Sequence, residues 1–285
     1  MKLFIAAFLF ASSLLSEDPR RLAVLQREYR LAAGETTPIR LTAESMETVR
    51  KSAKLVTSTT PEGQPEVGVG VDPESGGLFL AAPLTITPGV YDVTIRLSEA
   101  NGAESVGTMR VAVTPLPPLA VGSRPPVILL NGYQLFSLSQ LTTCPILPAS
   151  EFFGQLENLL YLDGLARGNV LFFDNCRECP NCSIADLGNK LGQFISSLRY
   201  TDGNLVPEVD LLGHSMGGLI VRSYLSGKQL TPGVFNPPAV TKVRKTVFTG
   251  TPHFGAKLAE LARALGSTQA SQMSPGSQFL MELAT

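Results

Sequence analysis

The stretch PEVDLLGHSMGGLIVRSYL, residues 207–225, joins an apolar run to an amphipathic one through the pentapeptide GHSMG (213–217). This order predicts a strand, a tight turn and a helix, with Ser215 in a strained backbone conformation at the turn. The flanking glycines leave room for the strand and the helix to approach, so the serine side chain would project above a sheet. An ordinary glycine-rich turn is the alternative interpretation. A dinucleotide- or phosphate-binding loop is disfavoured because neither GxGxxG nor GxxxxGK[ST] is present.

The length and charge of the chain limit the classes of partner. A chain of 285 residues allows two domains, or one large domain with extensions. Its 23 basic and 24 acidic residues give a net charge of −1, which generates no long-range field to steer nucleic acid or an anionic membrane surface. We therefore expect no nucleic-acid partner.

The N-terminus, MKLFIAAFLFASSLLSED, has a single lysine, an apolar run over residues 3–10 and small residues at 11–13. This pattern predicts a signal peptide over residues 1–16, and hence export to the periplasm, the cell surface or the medium. The apolar run is too short for a membrane-spanning helix. A buried or membrane-anchoring helix is the alternative interpretation.

Short alternating segments follow, and the clearest is YDVTIRLSEANGAESVGTMRVAV (91–113). Period-two alternation around the Asn101-Gly102 turn predicts a β-hairpin. Its apolar face would hold Tyr91, Val93, Ile95, Leu97, Met109, Val111 and Val113. Several short strands at this spacing predict a small all-β sandwich over residues 17–115. The stretch TPGVYDVTI resembles the late strands of bacterial immunoglobulin-like domains.

A proline-rich stretch separates this part from a second pattern. Fixed φ angles at its prolines predict a stiff, extended linker over residues 116–126. After it, continuous apolar runs alternate with amphipathic helical stretches. The apolar runs are VILLN (127–131), NVLFFD (169–174), EVDLLG (208–213) and VRKTVFTG (243–250). This alternation predicts an α/β domain over residues 127–285, with a mostly parallel sheet covered on both faces.

Four cysteines occur in this second part: Cys144, Cys176, Cys179 and Cys182. In an oxidising compartment an even number favours two disulfides, with three possible connectivities. Because the two loops that carry the cysteines follow neighbouring predicted strands, we hypothesise that a cross-link between them would rigidify the rim of a pocket. A metal site is disfavoured because no histidine supports the three clustered thiols. Free thiols remain as another alternative.

Residues 125–283 resemble the α/β-hydrolase superfamily, and within it the bacterial lipases and esterases and the GPI inositol-deacylase-like group. The stretches that carry the resemblance are PVILLNGYQ, VDLLGHSMGGLIVRSYL, VFTGTPHFGA and QMSPGSQFLMEL. The resemblance implies a serine hydrolase that cleaves a carboxylic ester of a lipid or of another small molecule, through an acyl-enzyme and without a metal or other cofactor; together with the predicted signal peptide it predicts an exported enzyme.

The resemblance also implies a role for each matching residue. Ser215 would be the nucleophile, and the backbone N–H groups of Met216 and Tyr133 would bind the oxyanion. The family usually has His-Gly where this chain has Asn131-Gly132, and the asparagine can still fix the loop by hydrogen bonding. His214 belongs to the motif, and we expect it to turn away from Ser215, to pack and to form hydrogen bonds.

A base for Ser215 is missing from the rest of the sequence. The triad order in this fold is Ser, then Asp or Glu, then His, yet no aspartate follows Ser215, and the acids that do are Glu260 and Glu282. The one later histidine, His253, matches the family's TPH turn, so we expect a structural role for it, with direct base catalysis as the alternative.

No strand is predicted after residues 243–250, which would leave the last strand as an uncovered apolar edge. We therefore expect the C-terminal domain to be incomplete, either as an N-terminal portion of a longer hydrolase or as a truncated relative that turns over slowly.

Two other functions fit the same sequence. The hydrolase fold could persist as a non-catalytic binding or scaffold module. Alternatively, the chain could act through its β-sandwich as an adhesion protein that contacts glycans of the cell envelope. Fluorophosphonate labelling of Ser215 discriminates an enzyme from both.

Overall fold

The computed structural model describes residues 20–60, 67–71, 75–134, 147–180, 182–264 and 266–284. The predicted signal peptide and Cys144 lie outside these residues. Within the described ranges, no helix combines the length and the hydropathy needed to span a bilayer.

Residues 20–114 form two sheets, and we call this part the two-sheet lobe. Its elements in chain order are β1 (Arg20–Arg21), β2 (Glu28–Ala32), β3 (Thr36–Pro38), α1 (Ala43–Lys51), β4 (Ser52–Thr60), β5 (Gly68–Val71), β6 (Leu78–Ala81), β7 (Gly89–Glu99) and β8 (Glu104–Thr114). The larger sheet has the order β1-β8-β7-β4, with β2 also paired to β8, and the smaller sheet has the order β3-β6-β5. Apolar side chains from both sheets form one buried core.

The predicted hairpin is confirmed. Strands β7 and β8 pair antiparallel, with Tyr91 opposite Val111 and Val93 opposite Met109. Every residue predicted on its apolar face is buried, with an exposed fraction of 4% or less. Alternation therefore identified the inward face correctly, because successive side chains of a strand point to opposite sides.

Helix α1 departs from the all-β prediction for this lobe. Its local sequence favours a helix at both ends: Thr42 caps the N-terminus by accepting a hydrogen bond from the backbone N–H of Ser45, 3.2 Å away. Glu44 lies in the first turn, and Arg50 and Lys51 lie in the last, which are the placements that the helix dipole favours.

Residues 127–284 form a second unit around a parallel sheet, and we call it the parallel-sheet lobe. Its strands are β9 (Val127–Leu130), β10 (Val170–Phe173), β11 (Val209–His214) and β12 (Val243–Thr249), in the order β10-β9-β11-β12. All three neighbouring pairs are parallel. Its helices are α2 (Ala149–Phe153), α3 (Leu156–Leu162), α4 (Asn175–Glu178), α5 (Ile184–Ser197), α6 (Met216–Ser226), α7 (Ala259–Ala264), α8 (Thr268–Met273) and α9 (Gln278–Leu283).

Helices cover both faces of this sheet at β10. Phe173 contacts Phe194 of α5, with ring centroids 6.4 Å apart. Phe172, the preceding residue, contacts Phe152 and Phe153 of α2. Since neighbouring residues of a strand point to opposite faces, α5 and α2 lie on opposite sides. The prediction of a parallel sheet with both faces covered is therefore confirmed at this position.

The opposite edge of the sheet is exposed. Within the described chain, β12 pairs with β11 alone. Val247 is 50% exposed and Phe248 is 38% exposed. The predicted apolar edge is therefore present among the described residues.

The proline-rich connector forms hydrogen bonds with the parallel-sheet lobe. Leu119 is buried, its N–H donates to Arg199 O at 2.8 Å, and its carbonyl accepts from Thr201 N at 2.9 Å. The N–H of Ala120 donates to the Asn169 side chain at 2.9 Å. The connector is thus held by specific hydrogen bonds.

Candidate active site

Ser215 occupies the junction between β11 and α6 in a strained conformation. With φ 52° and ψ −121°, it is the one non-glycine residue with positive φ in the part of the chain that the structure describes. Such a conformation costs on the order of 1–3 kcal/mol and persists where the surrounding structure enforces it. Its N–H donates to Thr249 O at 2.8 Å, which ties the turn to β12. The strained turn predicted from the sequence is confirmed, and the serine side chain is partly exposed.

The strand and the helix approach closely at this turn because glycines flank the serine. A Cβ added to Gly213 would lie 2.6 Å from the Cα of Gly218, closer than side chains tolerate. A Cβ added to Gly217 would overlap the carbonyl oxygen of Leu130 at the end of β9. Larger residues would therefore push the start of α6 away from the sheet.

The loop over residues 131–134 lies directly beside the serine. A Cβ added to Gly132 would lie 2.8 Å from the Ser215 Cβ and 3.3 Å from its Oγ. The backbone N–H of Tyr133 forms no hydrogen bond with any described residue. Met216 is the first residue of α6, so its N–H has no carbonyl partner one turn earlier in the helix. The N–H groups predicted to bind an oxyanion thus belong to Met216, which follows the serine in sequence, and to Tyr133, which follows the glycine packed beside it.

Buried polar side chains fix the same loop. The fully buried Asn131 donates from Nδ2 to Asp174 Oδ1 at 2.9 Å and accepts from the Asn175 N–H at 3.0 Å. The Asn175 side chain donates to the carbonyl of Gly132 at 2.8 Å, and Gln134 donates to Asp174 Oδ1 at 3.2 Å. The expectation that an asparagine at 131 can fix the loop is confirmed.

Asp174 lies at the centre of this network, just after β10. Burial raises the pKa of its carboxyl group, and the opposing effects of Arg177 and of the hydrogen bonds from Asn131 and neighbouring backbone N–H groups are smaller. Its Oδ2 atom and Gln134 Oε1 are both buried and have no hydrogen-bond partner among the described residues. Neither Asp174 nor Asn175 was predicted as a site residue, although two polar residues after a buried strand were a usable signal.

The two histidines have different surroundings. His214 packs edge-on against Phe153, with ring centroids 6.4 Å apart, as expected for a packing residue. Its Nδ1 is buried and, within the described ranges, has no hydrogen-bond partner. His253 has its Nδ1 3.3 Å from an Arg222 guanidinium nitrogen and packs edge-on against Phe248.

No described side chain forms a hydrogen bond with the Oγ of Ser215, so the structure does not bring His253 and Ser215 together as a hydrogen-bonded pair. The two acidic residues that follow Ser215 in the sequence do not form a hydrogen bond with it either. Glu282 forms an ion pair with Lys228 at 2.8 Å, and Glu260 lies in the first turn of α7.

The described cysteines are disulfide-bonded. Cys179 and Cys182 bond to each other, and Cys176 is also disulfide-bonded. Within the described ranges, no group of three or more His, Cys, Asp or Glu residues is arranged to hold a metal ion.

No family model matches the chain, and no curated protein matches it. Solved structures that match include the PKD domain of the KIAA 1837 protein, at 16% identity and a TM-score of 0.24, over 38% of this chain and 99% of that domain. Another is the insect immune protein hemolin, at 20% identity and a TM-score of 0.23, over 42% of this chain and 30% of hemolin. A third is Listeria monocytogenes InlP, at 16% identity and a TM-score of 0.25, over 30% of this chain and 26% of InlP.

The matches thus span less than a third of hemolin and about a quarter of InlP. TM-scores this low do not establish a shared fold. What the structure itself shows is a mixed α/β chain in which a two-sheet lobe precedes a four-stranded parallel sheet.

Proposed function

We propose that this protein is an exported serine hydrolase of the α/β-hydrolase type, which cleaves a carboxylic ester through an acyl-enzyme on Ser215. The observation that carries the proposal is the strained backbone of Ser215 at the end of a parallel strand, with a helix beginning at the next residue. Ordinary turns between strands and helices do not require a serine at positive φ. Strain of this kind is concentrated at functional sites.

The arrangement supports a specific first step. Oγ of Ser215 would attack the ester carbonyl carbon, and the carbonyl π electrons would move onto oxygen. The N–H groups of Met216 and Tyr133 would donate to that oxygen, and removal of one such donor typically costs about 10²–10³ in rate. The proton of the Ser215 hydroxyl would pass to solvent. Collapse of the intermediate would break the bond to the leaving oxygen, which would take a proton from solvent and depart as the alcohol. Water would then hydrolyse the acyl-enzyme, releasing the acid and restoring the Ser215 hydroxyl.

Proton transfer would limit the rate in this chain. A serine hydroxyl is a weak nucleophile until a base removes its proton, and no described side chain accepts a hydrogen bond from Ser215. Loss of the base costs on the order of 10⁶ in kcat in a serine protease, but a residual acceleration of about 10³–10⁴ over water survives through oxyanion binding. We therefore propose slow, serine-dependent acylation.

The proposal extends to the rest of the chain. The two-sheet lobe would be an immunoglobulin-like sandwich, and export would place the disulfides in an oxidising compartment. The substrate would be an ester or lipid small molecule rather than a nucleic acid.

A fluorophosphonate probe tests this proposal because it phosphonylates activated serines. We expect one adduct per chain, located by peptide mass spectrometry at Ser215, forming slowly and disappearing in Ser215→Ala. The Ser223→Ala variant is a matched control, since Ser223 lies on the same helix but is buried. Failure of the wild-type chain to label, or equal labelling of Ser215→Ala, would contradict the proposal and favour a binding or scaffold role.

A further inference from the structure

Helix α4 joins the two lobes through four consecutive buried residues. Asn175, Cys176, Arg177 and Glu178 are all buried, although three of them are polar or charged. Charged side chains are rarely buried without compensating partners. The partners of α4 lie in both directions, towards the loop at 131–134 and towards the two-sheet lobe.

Glu178 binds the two-sheet lobe with both carboxylate oxygens. Its Oε1 accepts from the backbone N–H of Leu84 at 2.6 Å, and its Oε2 accepts from the N–H and the hydroxyl of Thr85 at 3.1 and 2.7 Å. The neighbouring Arg177 donates to the carbonyl of Gly34 at 3.0 Å. Four hydrogen bonds thus connect two successive residues of α4 to the other lobe.

Apolar packing reinforces the same contact. The side chain of Leu84 is buried in the core of the parallel-sheet lobe, although Leu84 belongs to the two-sheet lobe in sequence. Leu116, from the connector, packs against the cores of both lobes. Because Glu178 holds the backbone N–H of Leu84, the hydrogen bonds and the apolar contact act on one segment.

At its other end α4 holds the loop beside Ser215. The Asn175 side chain donates to the carbonyl of Gly132, and the Asn175 N–H donates to Asn131. The carbonyl of Gly132 belongs to the same peptide group as the N–H of Tyr133. A shift of α4 would therefore rotate or displace the N–H that is proposed to bind the oxyanion.

We propose that Glu178 is a positioning residue, through which the two-sheet lobe fixes α4 and thereby the Gly132–Tyr133 peptide beside Ser215. The catalytic part of this inference rests on the proposed hydrolase function, but the mechanical coupling between Glu178 and the loop does not. The two-sheet lobe is then part of the machinery of the site rather than an independent module.

Two substitutions test the coupling, and the first is milder than the second. Thr85→Val removes one hydroxyl donor to Glu178 and nearly preserves volume, and Glu178→Gln removes the charge but keeps an oxygen acceptor. The control is Thr87→Val, which changes an exposed threonine two residues from Thr85. The first readout is hydrogen exchange of the backbone amides at 175–179 and at 209–213, measured by mass spectrometry on the full chain. The amide of Asn175 donates to the side chain of Asn131, so its protection reports the contact between α4 and the loop at 131–134.

We expect exchange at 175–179 to rise about tenfold in Thr85→Val and further in Glu178→Gln, with 209–213 unchanged, because loss of a supporting contact promotes local opening. Thr87→Val should match the wild type. Unchanged exchange at 175–179 in both variants would overturn the coupling. An equal rise throughout the sheet would also overturn it, because it would show only general destabilisation.

The second readout is the rate of fluorophosphonate labelling, resolved into the maximal rate and the probe concentration at half-maximal rate. A displaced oxyanion donor should lower the maximal rate about tenfold and leave the half-maximal concentration unchanged. If wild-type Ser215 does not label, the hydrolase proposal fails, while the exchange experiment still decides the coupling. If Ser215 labels and both variants react at the wild-type rate, Glu178 has no positioning role.

Discussion

The contact between Gly132 and Ser215 predicts a large and local effect of adding one methyl group. In Gly132→Ala the new Cβ would lie 2.8 Å from the Ser215 Cβ, whereas ordinary contacts begin at 3.4 Å. Relieving the overlap requires the loop and the serine to separate by about 0.6 Å, or the serine to leave its rotamer. A misplacement of about 1 Å at a reacting group can cost 10²-fold in rate. We therefore expect labelling of Ser215 by a fluorophosphonate to slow by between about tenfold and hundredfold.

The free energy of unfolding should fall by a more modest amount, about 1–3 kcal/mol, because overpacking strains a limited region. The assay combines the pseudo-first-order labelling rate with urea denaturation of the same preparation. Gly122→Ala is the matched control, since a Cβ there would meet its nearest neighbour, Ala166, at an ordinary 3.5 Å. Labelling of Gly132→Ala within twofold of the wild-type rate, in a folded protein, would refute the proposed closeness of the loop to the nucleophile.

Three further predictions concern the buried polar residues and the disulfide. Asn131→Ala should lower the free energy of unfolding by about 1–3 kcal/mol in urea denaturation, because buried groups of Asp174 and Asn175 would lose a partner; an unchanged midpoint would contradict this. Replacing both Cys179 and Cys182 by serine should cost about 2 kcal/mol by the chain-entropy relation, and an equal or higher melting temperature would contradict it. Burial raises the pKa of Glu178 from its ordinary 4.5, so its contribution to stability is full below pH 4.5 and is lost as pH rises through the raised value. Unfolding measured against pH should show a smaller loss in Glu178→Gln than in the wild type, because the raised pKa of Asp174 still contributes in the variant; parallel profiles would refute it.

Features encoded by neighbouring residues could be predicted from the sequence. Alternation identified the buried face of the β7–β8 hairpin, and the glycine-flanked serine identified the strained turn. In both cases the deciding interactions act over a few residues. Helix α1 was missed although its cap and terminal charges were visible, because the surrounding alternation favoured strands.

Contacts between distant segments could not be predicted in this way. Glu178 meets Thr85 across 93 positions of sequence, and no local pattern marks either as the partner of the other. The same applies to Asn131 and Asp174, which come together because β9 and β10 are neighbours in the sheet. The order of strands decides these pairs, and the loop beside Ser215 depends on them.

The most direct measurement of the central claim is a crystal structure of the protein after reaction with a fluorophosphonate. The account predicts phosphorus bonded to the Oγ of Ser215, with one phosphonyl oxygen about 2.7–3.1 Å from the backbone nitrogens of both Met216 and Tyr133. A phosphonyl oxygen directed into solvent, far from both nitrogens, or an adduct on another residue, would contradict it.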